Sequence, residues 1–211
     1  MTQANPAVAP SAPGGGELTG YDRLIPLAKA DDTARGLFFN GVFSAVSTLG
    51  GEQALNRCHQ LLDDMKFVRR FVEFSSYPIT DFLRLASVAT RVLAPSLGGL
   101  RQAEQRIGLQ ASEDFFRSMA GRTLLLLAGN SPQRLLSSLP SGYSTAVSYG
   151  QRTVTMVGDK GARVSYRGDL MPVSHNEGVL LGILKAVQVK NPQVRSESRK
   201  LTESDCELSW E

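Results

Sequence analysis

The chain has 211 residues, with 23 basic against 20 acidic side chains and a formal net charge of +3. That excess is too small to mark a nucleic-acid-binding protein, and 42% hydrophobic residues is ordinary for a globular fold. Two distant cysteines, Cys58 and Cys206, do not make a disulfide framework, so free thiols in a reducing, cytoplasmic setting are expected.

Residues 1–20 open on Pro6, Pro10, Pro13 and a Gly14–Gly16 run and are expected to form a disordered tail. Neither a signal peptide nor an apolar run long enough to span a bilayer is visible, which argues against a membrane partner. Residues 21–211 are expected to be one α+β domain. Residues 36–48 are apolar on several sides and read as a buried helix or a strand, and Gly50-Gly51 is a break. Ala54, Cys58, Leu61, Leu62 and Met65 predict an amphipathic helix over 52–65. Pro78 forces Tyr77 into an extended state and suits a helix start, and the stripe Ile79, Phe82, Leu83, Ala86, Thr90, Leu93 carries that helix to Ala94. Helices follow at 99–107 and 112–128, the second with an apolar face of Phe115, Phe116, Met119, Leu124 and Leu127. A short helix starts at Ser131-Pro132.

After Pro140 the period changes to two. Val147, Tyr149, Val154, Met156, Val164 and Tyr166 predict strands, with Gly158–Gly161 as a hairpin turn. Ser174-His175-Asn176-Glu177 reads as a capping box opening a helix through Val187, and Cys206, Leu208 and Trp210 alternate as a closing strand. The fold class is therefore α+β: an N-terminal helical layer packed on a C-terminal antiparallel sheet with one inserted helix.

No catalytic constellation is visible, and no metal site. His59 beside Cys58 on a helix is a poor pair of ligands because adjacent helical residues diverge. His175 lacks an orienting partner in the sequence, although Asp169 or Glu177 would be its nearest candidates for an acid–base role. Phosphate-binding and nucleophile-elbow patterns are absent. The residues expected to line an apolar seam between helices and sheet are Phe82, Phe115, Phe116 and Tyr143, against the more common outcome of a filled core. Gly178 and Gly182, four apart on one helix, permit close helix approach, either within the chain or between copies.

Arg35-Gly36-Leu37-Phe38-Phe39, Tyr77-Pro78 with its helix, and the closing strand ending in Trp210 carry a resemblance over about 30–210. The chain resembles an uncharacterised family found mainly in myxobacteria. More distantly, Ser76-Tyr77-Pro78 with the 79–94 helix, and Leu124–Gly129 followed by Leu135–Tyr143, resemble the heme-nitric-oxide/oxygen-binding domains and related trafficking-complex domains. Tyr143 then stands where that family has its proximal histidine. Tyr166-Arg167-Gly168-Asp169-Leu170 is the nearest stretch to the family's Tyr-x-Ser-x-Arg signature and does not match it. The resemblance implies a helix-on-sheet scaffold with an interior pocket but no conventional heme site. The expected function is a non-enzymatic ligand-sensing or adaptor module, with a small apolar ligand or a protein partner and no cofactor. A homodimeric scaffold with a filled core is the alternative.

Overall fold

The computed structural model describes residues 17–211. The expected tail lies outside the described residues as far as residue 16, whereas Thr19 and Gly20 belong to the fold. Thr19 is buried and caps the first helix, α1 (Gly20–Leu24), through a capping box with Asp22. Strand β1 (Thr33–Arg35) pairs antiparallel with β2 (Ser76–Pro78), placing Ala34 opposite Tyr77. Between them, residues 36–48 are helical: α2 (Gly36–Leu62) runs through the region and kinks at Gly51, whose φ of 72° and ψ of −172° only glycine adopts without strain. The Gly50-Gly51 break is that kink.

Tyr77 is extended in β2 and Pro78 caps the next helix, α3 (Ile79–Leu97). This helix passes Pro95 and ends on Gly98 at φ 88°. The two helices expected over 99–128 are divided elsewhere. α4 (Leu100–Arg117) is continuous through residue 112, and the break falls at Ser118, ahead of α5 (Met119–Ala128). Ser118 is extended and its hydroxyl accepts the Gly121 amide at 3.2 Å. Gly121 lies so close to the Phe115 carbonyl that any Cβ there would collide with backbone. Ser131 caps α6 (Pro132–Ser137) as expected. The extended chain expected after Pro140 is instead α7 (Leu139–Ala146), with Pro140 in its first turn, where its missing N–H costs nothing.

The sheet comprises β3 (Gln151–Met156), β4 (Gly161–Arg167), β5 (Gln193–Lys200) and β6 (Glu203–Ser209), in the order β3-β4-β6-β5, all antiparallel. Helix α8 (Val173–Ala186) is inserted between β4 and β5. The fold class is thus α+β, N-terminal helices with a C-terminal antiparallel sheet. Three cross-strand rows line the buried face. Met156–Ala162–Leu208–Val194 and Val154–Val164–Cys206–Ser196 are largely apolar; Arg152–Tyr166–Ser204–Ser198, at the far end, is polar.

Two apolar cores result. One joins α1 to α3 with the start of α4, around Phe39, Phe82, Leu83 and Ile107. The other packs Phe116, Leu135, Leu136, Leu180 and Leu184 on Val164, Cys206 and Leu208 of the sheet and on Trp210 just beyond it. Helix α8 also crosses α4, where Gly108 meets the His175 carbonyl and Gly178 the Gln105 carbonyl, closer than any Cβ would allow. A Cβ on Gly182 would stand 2.6 Å from that of Ser112. The glycine pair expected to allow close helix approach is engaged inside the chain.

Candidate functional site

Arg152 at the inner end of the polar row, Asp169 beyond β4 and the first turn of α8 together form a buried hydrogen-bonded cluster. Arg152 projects from β3 into the interior, where its guanidinium donates to Asp169 Oδ1 at 2.5 Å and to the Tyr149 carbonyl at 2.6 Å. Both charged side chains of this ion pair are only 3% exposed. A buried guanidinium needs such a partner, since an unpaired charge in the interior is prohibitively costly. The guanidinium also lies over two rings, its carbon 4.6 Å from the centre of Tyr143 and 5.2 Å from that of Tyr149. Tyr166, the cross-strand partner of Arg152, completes the aromatic wall. Asp169 Oδ2 accepts from Asn176 Nδ2 at 2.6 Å, which ties the cluster to α8.

Three buried polar atoms in this cluster lack a well-formed hydrogen bond: Arg152 Nε, Asn176 Oδ1 and the Tyr166 hydroxyl, which has only the Tyr143 phenol beside it. They offer a charged donor, a group that both donates and accepts, and an acceptor. Burial raises the Tyr143 phenol to about 12 and those of Tyr149 and Tyr166 well above their ordinary value, so all three rings keep their protons. Burial also raises the Asp169 carboxyl, against the opposing pull of Arg152, Asn176 and the amides of Leu170 and Met171.

The first turn of α8 is a junction of buried polar residues. Ser174 and Glu177 do not form the expected capping box, because Pro172 occupies the cap position and both side chains are engaged elsewhere. The Ser174 hydroxyl donates to Glu104 of α4, whose other oxygen accepts the Gly20 amide at 2.6 Å. His175 Nδ1 accepts from the Tyr21 hydroxyl of α1 at 2.7 Å. Glu177 accepts from Arg101 of α4 at 2.8 Å on each oxygen, and its Oε2 also accepts from Gln105 at 3.5 Å. Four consecutive residues therefore reach α1, α4 and the sheet cluster. His175 is bonded to Tyr21, Asp169 to Arg152 and Glu177 to Arg101, so these three do not assemble an acid–base site.

The four residues expected to line one seam are divided. Phe82 belongs to the first core, edge-on to Phe39 with ring centres 5.4 Å apart. Phe115 and Phe116 meet each other edge-on at 5.2 Å in the second core. Tyr143, on α7, stacks on Arg152. Arg152, Tyr149, Tyr166 and Asn176 escaped the sequence reading. Their signal was weak: an arginine at an inward position of an otherwise alternating strand.

Among the described residues no group of three or more His, Cys, Asp or Glu side chains is gathered as a metal site, and no helix is long and apolar enough to cross a membrane. Heme ligation does not fit the donor set. Tyrosine ligates iron as the phenolate, a form that burial disfavours at Tyr143, and the face of its ring is covered by the Arg152 guanidinium 4.6 Å from its centre. His175 is bonded to Tyr21, and His59 stacks on Phe43 at 4.9 Å, far from the sheet in sequence and in the other core's periphery.

No curated protein matches the chain in sequence. Solved structures share its fold. An H-NOX protein from S. oneidensis in the Fe(II)NO ligation state aligns with a TM-score of 0.66 at 14% identity, over 84% of this chain and 99% of its own. An unliganded Fe(II) H-NOX mutant from K. algicida gives 0.64 at 13% identity, over 84% and 96%. An oxygen-binding H-NOX domain related to soluble guanylate cyclases gives 0.64 at 10% identity, over 84% and 95%. At such identities the likeness is one of fold. A family model described as "Protein of unknown function (DUF2378)" matches residues 28–211, and the chain belongs to that family.

Proposed function

We propose that the chain is a non-enzymatic small-molecule-sensing module, with its ligand end at the cluster of Arg152, Asp169, Asn176 and the three tyrosines. The observation that carries this reading is the set of three poorly satisfied polar atoms in one buried cluster: Arg152 Nε and Asn176 Oδ1, which have no partner, and Tyr166 OH, which has only the Tyr143 phenol beside it. Buried polar groups are ordinarily satisfied, and leaving one unpaired costs about 1–3 kcal/mol. A bound molecule that paired with them would recover that energy. The fold adds support by analogy, since the solved neighbours include nitric oxide and oxygen complexes. Of the four aromatic residues named from the sequence, Tyr143 lies in this cluster. Phe115 and Phe116 pack in the second core, under the sheet. The α8 junction supplies a route for signalling, because Asn176 touches the cluster while His175 bonds α1 directly and Ser174 reaches it through Glu104.

Native mass spectrometry and an absorption spectrum of protein purified from cells test this reading. The expected result is a mass above that of the bare chain, without a Soret band, and loss of the excess in Tyr166→Phe and Tyr143→Ala. A bare mass for the unaltered protein, or an excess that both variants retain, rejects the cluster as the ligand end.

A further inference from the structure

We propose that the outward face of α5 is a docking surface for an amphipathic partner helix whose apolar stripe is flanked by carboxylates. This inference rests on the surface alone and is independent of the ligand reading.

Helix α5 is apolar on both sides. At about 100° per residue, Gly121, Leu124, Leu125 and Ala128 fall on one side. Gly121 and Ala128 are buried there, and Leu124 and Leu125 pack against the second core. Met119, Thr123, Leu126 and Leu127 fall on the other, where Met119 is 82%, Leu126 81% and Leu127 77% exposed. A helix lying on a core normally turns charge to water on that face. Large apolar side chains recurring seven and eight residues apart on an open helix are the anchors of helix-to-helix recognition.

The charge on α5 and along the chain that follows it is of one sign. Between Asp114 and Asp159 the sequence contains no Asp or Glu. Arg122 flanks the stripe on α5 itself. Arg134 of α6 brings its guanidinium beside Gly129, the C-terminal cap of α5. Neither makes an ion pair among the described residues, whereas most other arginines of the fold do, including Arg117, which meets Glu113 and Asp114. The surface therefore combines desolvatable leucines with two cations that have no ion-pair partner among the described residues, while Glu113 and Asp114 at the end of α4 are paired with Arg117. A second copy of this chain would bring Arg122 and Arg134 against their own kind. An anionic membrane would gain only about 1 kcal/mol per basic residue, and two cations fall short of the cluster of four to eight that such binding takes.

A labelled three-heptad synthetic peptide, leucine on its stripe and glutamate on its flanks, is the probe. Its counterpart carries lysine in place of glutamate. Fluorescence anisotropy with the full chain should show the glutamate peptide binding at least about tenfold tighter than the lysine peptide, with the difference shrinking as salt rises. The doubly substituted Leu126→Glu, Leu127→Glu chain should lose binding while keeping its circular dichroism and melting temperature, because both side chains are exposed. Arg122→Glu should narrow or reverse the preference for glutamate. Equal binding of the two peptides, or binding of neither, overturns the proposal. So does association with phosphatidylglycerol vesicles in place of the peptide, or self-association in sedimentation that the leucine substitutions abolish.

Discussion

The Tyr21 hydroxyl stands 2.7 Å from Nδ1 of His175, 154 residues further along the chain. Burial holds the Tyr21 phenol well above its ordinary range, so the hydroxyl is the donor and Nδ1 the acceptor. His175 is thereby fixed as the neutral tautomer with its proton on Nε2, and burial pushes its pKa down to about 4. Nitrogen-15 spectra of the histidine rings should show that tautomer for one ring throughout the neutral range, with a titration midpoint near 4. A midpoint at the ordinary value of about 6.5 would mean the contact does not form.

The same shift makes stability depend on pH. Because the folded pKa lies below the unfolded one, the contribution of His175 is complete above about pH 6.5 and is lost as pH falls towards about 4, amounting to roughly 3 kcal/mol. Glu104 and Asp169, raised by burial, act in the opposite sense: their contribution is present at low pH and is lost as pH rises through their raised values. Comparison with His175→Gln isolates the histidine. In urea unfolding, the stability gap between the two proteins should narrow by about 3 kcal/mol from neutral pH down to about pH 4. A gap that stays constant would remove His175 as its source.

Breaking the Arg152–Asp169 pair from one side should cost about 3–5 kcal/mol, because the survivor is left charged and buried. Arg152→Met and Asp169→Leu together should cost much less than the sum of the two single changes. Denaturant melts of the four proteins measure the coupling directly, and additive costs would show that the pair does not act as a unit.

The α4–α8 crossing depends on its glycines. Gly178→Ala forces a methyl into the Gln105 carbonyl and should destabilise by at least about 1–3 kcal/mol. Gly142, within α7, has no heavy atom near its would-be Cβ, so Gly142→Ala should stabilise by about 0.4–1 kcal/mol. Thermal melts distinguish the two, and similar shifts would contradict the packing described.

Both thiols should be inert in the folded protein. Cys58 and Cys206 are buried, and burial raises them to about 12 and about 11 respectively. An Ellman titration at mildly alkaline pH should find no fast-reacting thiol until denaturant is added. A rapid stoichiometric reaction would show that one of these sites opens.

Local physics made several elements legible. The period of Ile79 to Leu93, the punctuation of Tyr77-Pro78, and the alternation of Cys206, Leu208 and Trp210 each follow from burial on one side of a regular backbone. Two elements gave no such signal. Strand β5 reads Gln-Val-Arg-Ser-Glu-Ser-Arg-Lys; it is an edge strand and needs only one paired side and little buried surface. Helix α7 contains Pro140 and Gly142, which look like turn residues until the first is seen to occupy an opening turn. The apolar face expected across 112–128 was split by Ser118, so Phe116 went inward while Met119 and Leu127 were left in the open.

The sequence by itself determined the α+β class, the hairpin, the break at Gly50-Gly51 and the absence of common catalytic motifs, since these depend on spacing within a few residues. Only the tertiary structure decided the polar cluster. Tyr143 arrives on α7, Arg152 on β3, Tyr166 on β4 and Asn176 on α8, and no local pattern links them. They meet because antiparallel pairing sets Arg152 opposite Tyr166, and because glycine-sized contacts let α8 settle on α4 with its first turn facing both the cluster and α1.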